Sequence, residues 1–126
     1  MKEIKFNFEE LKVYQKSLDF VDIVYEITQE FPKNERYGLT SQFTRAAVSI
    51  SLNIAEGAGD TDAQFNRFLK IALGSVKECV VCSTIASRQQ FIDQNSNNIN
   101  REKLEELSKM IIGLQKYLNS KNTSKD

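Results

Sequence analysis

Leu39-Thr-Ser-Gln-Phe-Thr-Arg-Ala-Ala-Val-Ser-Ile-Ser-Leu-Asn-Ile-Ala-Glu56 brings an apolar residue round every three or four positions. At about 100° per residue, Leu39, Phe43, Ala46, Ala47, Ile50 and Ile54 share one side. Gln42, Arg45, Ser49, Asn53 and Glu56 form a polar strip beside them. This is the pattern of an amphipathic helix, and Gly57 and Gly59 supply its stop. Ala46 and Ala47 are small enough to let a second helix come close.

The same period continues on both sides of that stretch. Pro32 is the one proline and there are five glycines, so little interrupts it. Upstream, a helix is predicted from about Glu9 to Phe31, stopped by Pro32. It carries two apolar stripes about 120° apart, and the pattern leaves open which one faces the core. One is Leu11, Tyr14, Leu18, Val21 and Tyr25; the other is Val13, Phe20, Val24, Ile27 and Phe31. Downstream, a helix starts at Thr61 or Asp62 and runs to about Ile92. Its core side is Phe65, Phe68, Leu69, Ala72, Val76, Cys79, Val80 and Ala86. The polar run from Asp93 to Asn98 reads as a loop. A fourth helix spans about Arg101 to Leu118, with the stripe Leu104, Leu107, Ile111, Leu114 and Leu118. Residues 119–126 carry no apolar side chain and read as a frayed tail. Four helices on short connections define an all-α, antiparallel up-down-up-down four-helix bundle, one domain over residues 1–118.

A chain of 126 residues can bury a core without a metal or disulfide. Lys and Arg total 17, Asp and Glu total 17, and no global field draws nucleic acid or anionic membrane to the protein. Histidine is absent, which removes the commonest general base and metal ligand. The two cysteines, Cys79 and Cys82, sit inside a helical pattern without the further ligands that zinc needs, and read as structural thiols. With no di-metal Glu-x-x-His pair, phosphate loop or dinucleotide fingerprint, no enzyme and no cofactor are expected. The absence of a long apolar run or a signal-peptide pattern gives the expectation of a cytoplasmic protein off the membrane.

Three groups of residues are candidates for function. Lys70, Lys77 and Arg88 line up on one flank of the third helix and, with Arg67 nearby, form the candidate nucleic-acid-binding stripe. Residues 61–92 hold four basic and two acidic residues, whereas residues 1–34 hold five basic and seven acidic. Arg45, Asn53 and Glu56 read as a polar network beside the core, Arg45 neutralising Glu56 and Asn53 satisfying a helix end. Ile71, Val81, Ile85 and Ile92 lie opposite the core stripe of the third helix, too apolar for a face left in water. Together with the second stripe of the first helix they predict a homo-oligomer with a head-to-tail contact.

Tyr37-Gly-Leu-Thr-Ser-Gln and Asn53-Ile-Ala-Glu-Gly, with Leu11-Lys-Val-Tyr-Gln-Lys and Phe65-Asn-Arg-Phe-Leu-Lys, add a further indication. Over about residues 6–118 the chain resembles the four-helix-bundle family of proteins encoded in intervening sequences of bacterial 23S rRNA genes. That resemblance implies a homopentamer without an established biochemical role. Joined to the residues' own reading, the expectation is a non-enzymatic, self-assembling interaction protein with RNA or a nucleic-acid enzyme as its candidate ligand. A related branch, the accessory protein of diversity-generating retroelements, implies the alternative of a nucleic-acid-binding accessory subunit of a reverse transcriptase. The chain departs from the family pattern in having Tyr14 where tryptophan is usual, Thr44 and Arg45 where two basic residues are usual, and Ser51 where proline is usual. The missing basic residue and the balanced net charge weigh against carrying RNA binding over.

Overall fold

The computed structural model describes residues 2–123, and among them are four α-helices and no strand. They are α1 (Lys12–Thr28), α2 (Leu39–Gly57), α3 (Asp62–Arg88) and α4 (Gln94–Thr123). Each helix packs on the next and α1 also meets α4, whereas the backbones of the diagonal pairs stay apart. The arrangement is a four-helix bundle. Ser17 near the start of α1 bonds Ser51 near the end of α2, and Ser49 bonds Ser75. Ser83 near the end of α3 bonds Asn97 near the start of α4, while Asn66 bonds Asn119. The two α3–α4 pairs run in opposite sense, and with Phe20 against Phe43 on α1–α2 and Gly57 against Phe65 on α2–α3 the other two neighbouring pairs do the same.

The core is made from the stripes that the periodicity defines. Val24, Phe43, Ile50, Ile54, Leu69, Ala72, Cys79 and Ile111 are all fully buried. In α1 the stripe that turns inward is Val13, Phe20, Val24 and Phe31. Phe20 meets Phe43 with ring centroids 6.4 Å apart, and Phe31 meets Phe91 at 5.5 Å. Gly57 ends α2 where α3 crosses it: a Cβ there would stand 2.9 Å from both Phe65 Cδ1 and Phe68 Cβ.

The helix boundaries differ from the expectation, each for a local reason. Residues 7–10 form a 3-10 turn and Leu11 is extended, so α1 begins at Lys12 rather than Glu9. The α1 ladder stops at Thr28, and the chain tightens to i→i+3 bonds through Phe31 before Pro32. Glu35 caps α2, its Oε1 accepting the Leu39 N–H at 3.1 Å. Thr61 caps α3 through Gln64 N–H at 3.2 Å.

α3 ends at Arg88, four residues short of Ile92, in a Schellman motif. Phe91 N–H donates to Ala86 O at 2.8 Å and Gln90 N–H to Ser87 O at 3.0 Å. Gln90 takes the left-handed φ of 64° that such a motif usually gives to glycine.

The polar run after Asp93 is helical, not a loop. Asp93 Oδ1 accepts the Ser96 N–H at 2.7 Å, which makes Asp93 the cap of α4. The Ser96 bond holds the Asp93 carboxyl below its ordinary range. α4 also runs on through residues 119–123, where a frayed tail was expected. The rest of that tail, residues 124–126, lies outside the described residues.

Candidate functional site

α3 presents the most distinctive surface. Arg67, Lys70, Lys77 and Arg88 are all exposed, and none takes part in an ion pair among the described residues. Beside them Ile71, Val81 and Ile85 are 46%, 55% and 42% exposed. Gly74 lies in the same face, and a Cβ added to it would meet nothing within 4 Å. Ile92 does not join this group. It follows the Schellman turn, is half-buried and packs against the core.

The outward stripe of α1 is the second such surface. With Val13, Phe20 and Val24 turned inward, Leu18 and Tyr25 are left 39% and 53% exposed. Tyr14 is half-buried, its ring edge-on to Phe8 at 5.1 Å. From Ser17 to Phe31 the chain has four acids, Asp19, Asp22, Glu26 and Glu30, and no basic residue. Lys16, one residue earlier, is drawn to α4 by Glu106 at 3.3 Å.

The expected Arg45, Asn53 and Glu56 network does not form. Arg45 and Glu56 are exposed, and among the described residues no ion pair joins them. They are eleven residues apart on one helix, about 16 Å of axial rise, beyond the reach of two side chains. Asn53 bonds one turn back instead, its Nδ2 donating to Ser49 O at 2.8 Å and Ser49 Oγ at 3.0 Å. Ser49 Oγ lies 2.8 Å from Ser75 Oγ, so this polar chain ties α2 to α3. A shallow groove above it is lined by Arg45, Ser49, Ile71, Gly74, Ser75 and Glu78.

A buried polar cluster was missed by the sequence pattern. Ser83 Oγ donates to Asn97 Oδ1 at 2.7 Å and accepts from Asn100 Nδ2 at 3.0 Å. All three residues are buried. Asn97 and Asn100 extend the α4 stripe of Leu104, Leu107, Ile111, Leu114 and Leu118 back at the same three-and-four spacing. That spacing was the available signal, and two asparagines in apolar positions concealed it.

Cys79 and Cys82 are buried and free. Burial pushes the Cys79 thiol well above its ordinary value, with Cys82 and the Glu78 carboxylate adding to the effect, and burial with Glu78 also raises Cys82. Such thiols are poor nucleophiles and poor metal ligands at neutral pH. No group of His, Cys, Asp and Glu among the described residues could hold a metal ion. No helix there is long and apolar enough to cross a membrane.

Fold and surface together define a four-helix-bundle protein whose distinguishing features are two outward apolar helix faces, one edged by acids on α1 and the other by cations on α3. The sequence profile of the 23S rRNA-intervening sequence protein family matches residues 9–113, and the chain belongs to that family. Among solved structures it resembles a protein of unknown function from the S23 ribosomal protein family of Bacteroides thetaiotaomicron. The two share 25% identity and a TM-score of 0.74, over 82% of this chain and 98% of that one. No curated protein matches the chain.

Proposed function

We propose that the protein is a non-catalytic assembly unit, a cytoplasmic bundle that works as a homo-oligomer and presents an interaction surface built from several copies. The observation that carries this reading is the pair of outward apolar stripes, Leu18 and Tyr25 on α1 and Ile71, Val81 and Ile85 on α3. A four-helix bundle needs one apolar stripe per helix, so these are surplus to the fold. Surfaces of this kind mark contacts with other macromolecules. Two different surfaces on one chain suit a head-to-tail contact, which closes into a ring when the rotation permits. A ring of five is the number that the family resemblance implies. Sedimentation equilibrium tests the reading: an assembly near five times 14.4 kDa supports it, and a monomer at micromolar concentration overturns it.

RNA association is the second reading, favoured by the exposed Arg67, Lys70, Lys77 and Arg88, none of them ion-paired among the described residues. Contacts made by such cations alone are tolerant of sequence and weaken steeply with salt. RNA retention that survives about 0.5 M salt and the substitutions Lys70→Glu, Lys77→Glu and Arg88→Glu overturns this second reading.

A further inference from the structure

We infer that α1 of one copy docks side by side and parallel on α3 of the next, so that the acids of α1 serve as counter-charges to the cations of α3. The inference rests on the self-assembly proposed above and specifies which two faces meet.

Composition is the first support. The α1 face carries its apolar pair beside Asp19, Asp22, Glu26 and Glu30; the α3 face carries its apolar group with Lys70, Lys77 and Arg88 along one edge and the single acid Glu78 towards the other. A two-fold contact would set acid against acid or leave the cations unanswered. A head-to-tail contact sets opposite charges together, which favours the right partner and the right register.

The handedness of the two faces agrees. Angles are counted at about 100° per residue down each helix from its N-terminus. On α1 the acids then lie on the increasing-angle side of Leu18 and Tyr25. On α3 the cations lie on the decreasing-angle side of Ile71, Val81 and Ile85. A parallel pair brings those two edges together, whereas an antiparallel pair separates them. Because α1 and α3 are each antiparallel to α2, they point the same way. Rotation about a ring axis parallel to the bundle therefore presents α1 to its neighbour's α3 in parallel.

Height agrees as well. Ser51 pairs with Ser17, and Ser49, two residues earlier in α2, pairs with Ser75. Ser17 thus stands level with about residue 73 of α3, using the common helical rise. On that scale Leu18 stands opposite Gly74, Tyr25 opposite Val81, and Glu30 within a turn of Arg88. Gly74 is otherwise unexplained: glycine inside an exposed helix is less favourable than alanine, and a Cβ there would meet nothing within 4 Å in its own chain. A leucine from the next copy would occupy that space.

Charge reversal on each face tests the pairing. One protein carries Lys77→Glu with Arg88→Glu, the other Asp22→Lys with Glu30→Lys, and circular dichroism checks that both stay helical. Each alone is expected to associate at least about tenfold more weakly than wild type in sedimentation equilibrium. An equimolar mixture should associate more tightly than either protein alone, because the reversed α3 of one meets the reversed α1 of the other. A ring of five cannot alternate throughout, so one contact in five stays unmatched and recovery is partial. Variants with glutamine in place of each charged residue should weaken association less and gain nothing on mixing. If wild type assembles but the reversed proteins keep its affinity, or the mixture associates no better than its components, the pairing is wrong and self-assembly stands. A monomeric wild type overturns both. Association that disappears on nuclease treatment overturns the pairing in favour of RNA on α3.

Discussion

The Ser17 and Ser51 hydroxyls meet at 2.8 Å in the buried seam between α1 and α2. Ser17 already donates its single proton to Tyr14 O at 2.6 Å, so Ser51 is the donor in the pair. Ser51 occupies the position where the resembling family usually has proline. A serine there keeps its backbone N–H in the α2 ladder and adds a tie to α1. Ser51→Ala leaves Ser17 short of one donor and is expected to cost about 1 kcal/mol. Adding Ser17→Ala should cost less than the sum of the two single changes. Urea unfolding of the full double-mutant cycle measures this, and strict additivity would show that the pair is uncoupled.

The Ser83, Asn97 and Asn100 cluster should be less tolerant. Asn100 is 1% exposed and donates to Ser83, which in turn donates to Asn97. Asn100→Ala removes one buried donor and opens a cavity beside Leu104, at an expected cost of roughly 1–3 kcal/mol in denaturant unfolding. Asn100→Leu in an Asn97→Leu, Ser83→Ala background should recover most of that stability, since an apolar replacement of every member leaves no polar group stranded. A triple variant weaker than Asn100→Ala would show that the cluster is worth more than its volume.

These sites mark where the sequence stopped being readable. The stripes of α2 and the later part of α4 are plain because their core positions hold only apolar or small residues. The start of α4 is obscure because its core positions hold asparagines, paired with Ser83 on the preceding helix. The end of α3 is obscure because glutamine fills the position that glycine usually marks. On the surface, the exposed flank of α3 follows from angle alone. The supposed link from Arg45 to Glu56 came from angle without length, and about three turns of helix separate the two.

Gln90 supplies a clean test of the α3 terminus. Its φ of 64° is costly for a residue with a Cβ and free for glycine. Gln90→Gly is expected to raise stability by roughly 0.5–1 kcal/mol, seen as a higher unfolding midpoint. No gain would mean that the Gln90 side chain contributes as much as its backbone strain removes.

The thiols set a pH dependence at the alkaline side. Burial raises Cys79 and Cys82 above the ordinary thiol value of 9.0, so the unfolded chain loses these protons first. Stability from the neutral thiols is complete below that pH and declines as pH rises past it. Wild type should therefore lose more stability between about pH 8 and pH 10 than the Cys79→Ala, Cys82→Ala protein. Equal losses in urea titrations at the two pH values would exclude the thiols as the cause. At neutral pH the double alanine protein should be modestly less stable and keep its assembly.

The α3 face provides the most direct prediction for assembly. Val81 and Ile85 are exposed in the single chain, and glutamate at either position has open water around it. Val81→Glu with Ile85→Glu should leave helical content and unfolding midpoint of the bundle close to wild type. At an interface the same two charges are buried against Tyr25 beside Asp22, Glu26 and Glu30 of α1, which combines desolvation with like-charge repulsion. Association is expected to weaken at least about 100-fold, giving soluble species of lower mass in sedimentation equilibrium. Tyr117→Glu is the control: Tyr117 is also exposed but lies on α4, outside both faces, and this protein should keep the wild-type mass. If Val81→Glu with Ile85→Glu also keeps it, copies of this chain meet through some other surface, and the apolar stripe on α3 serves a different partner.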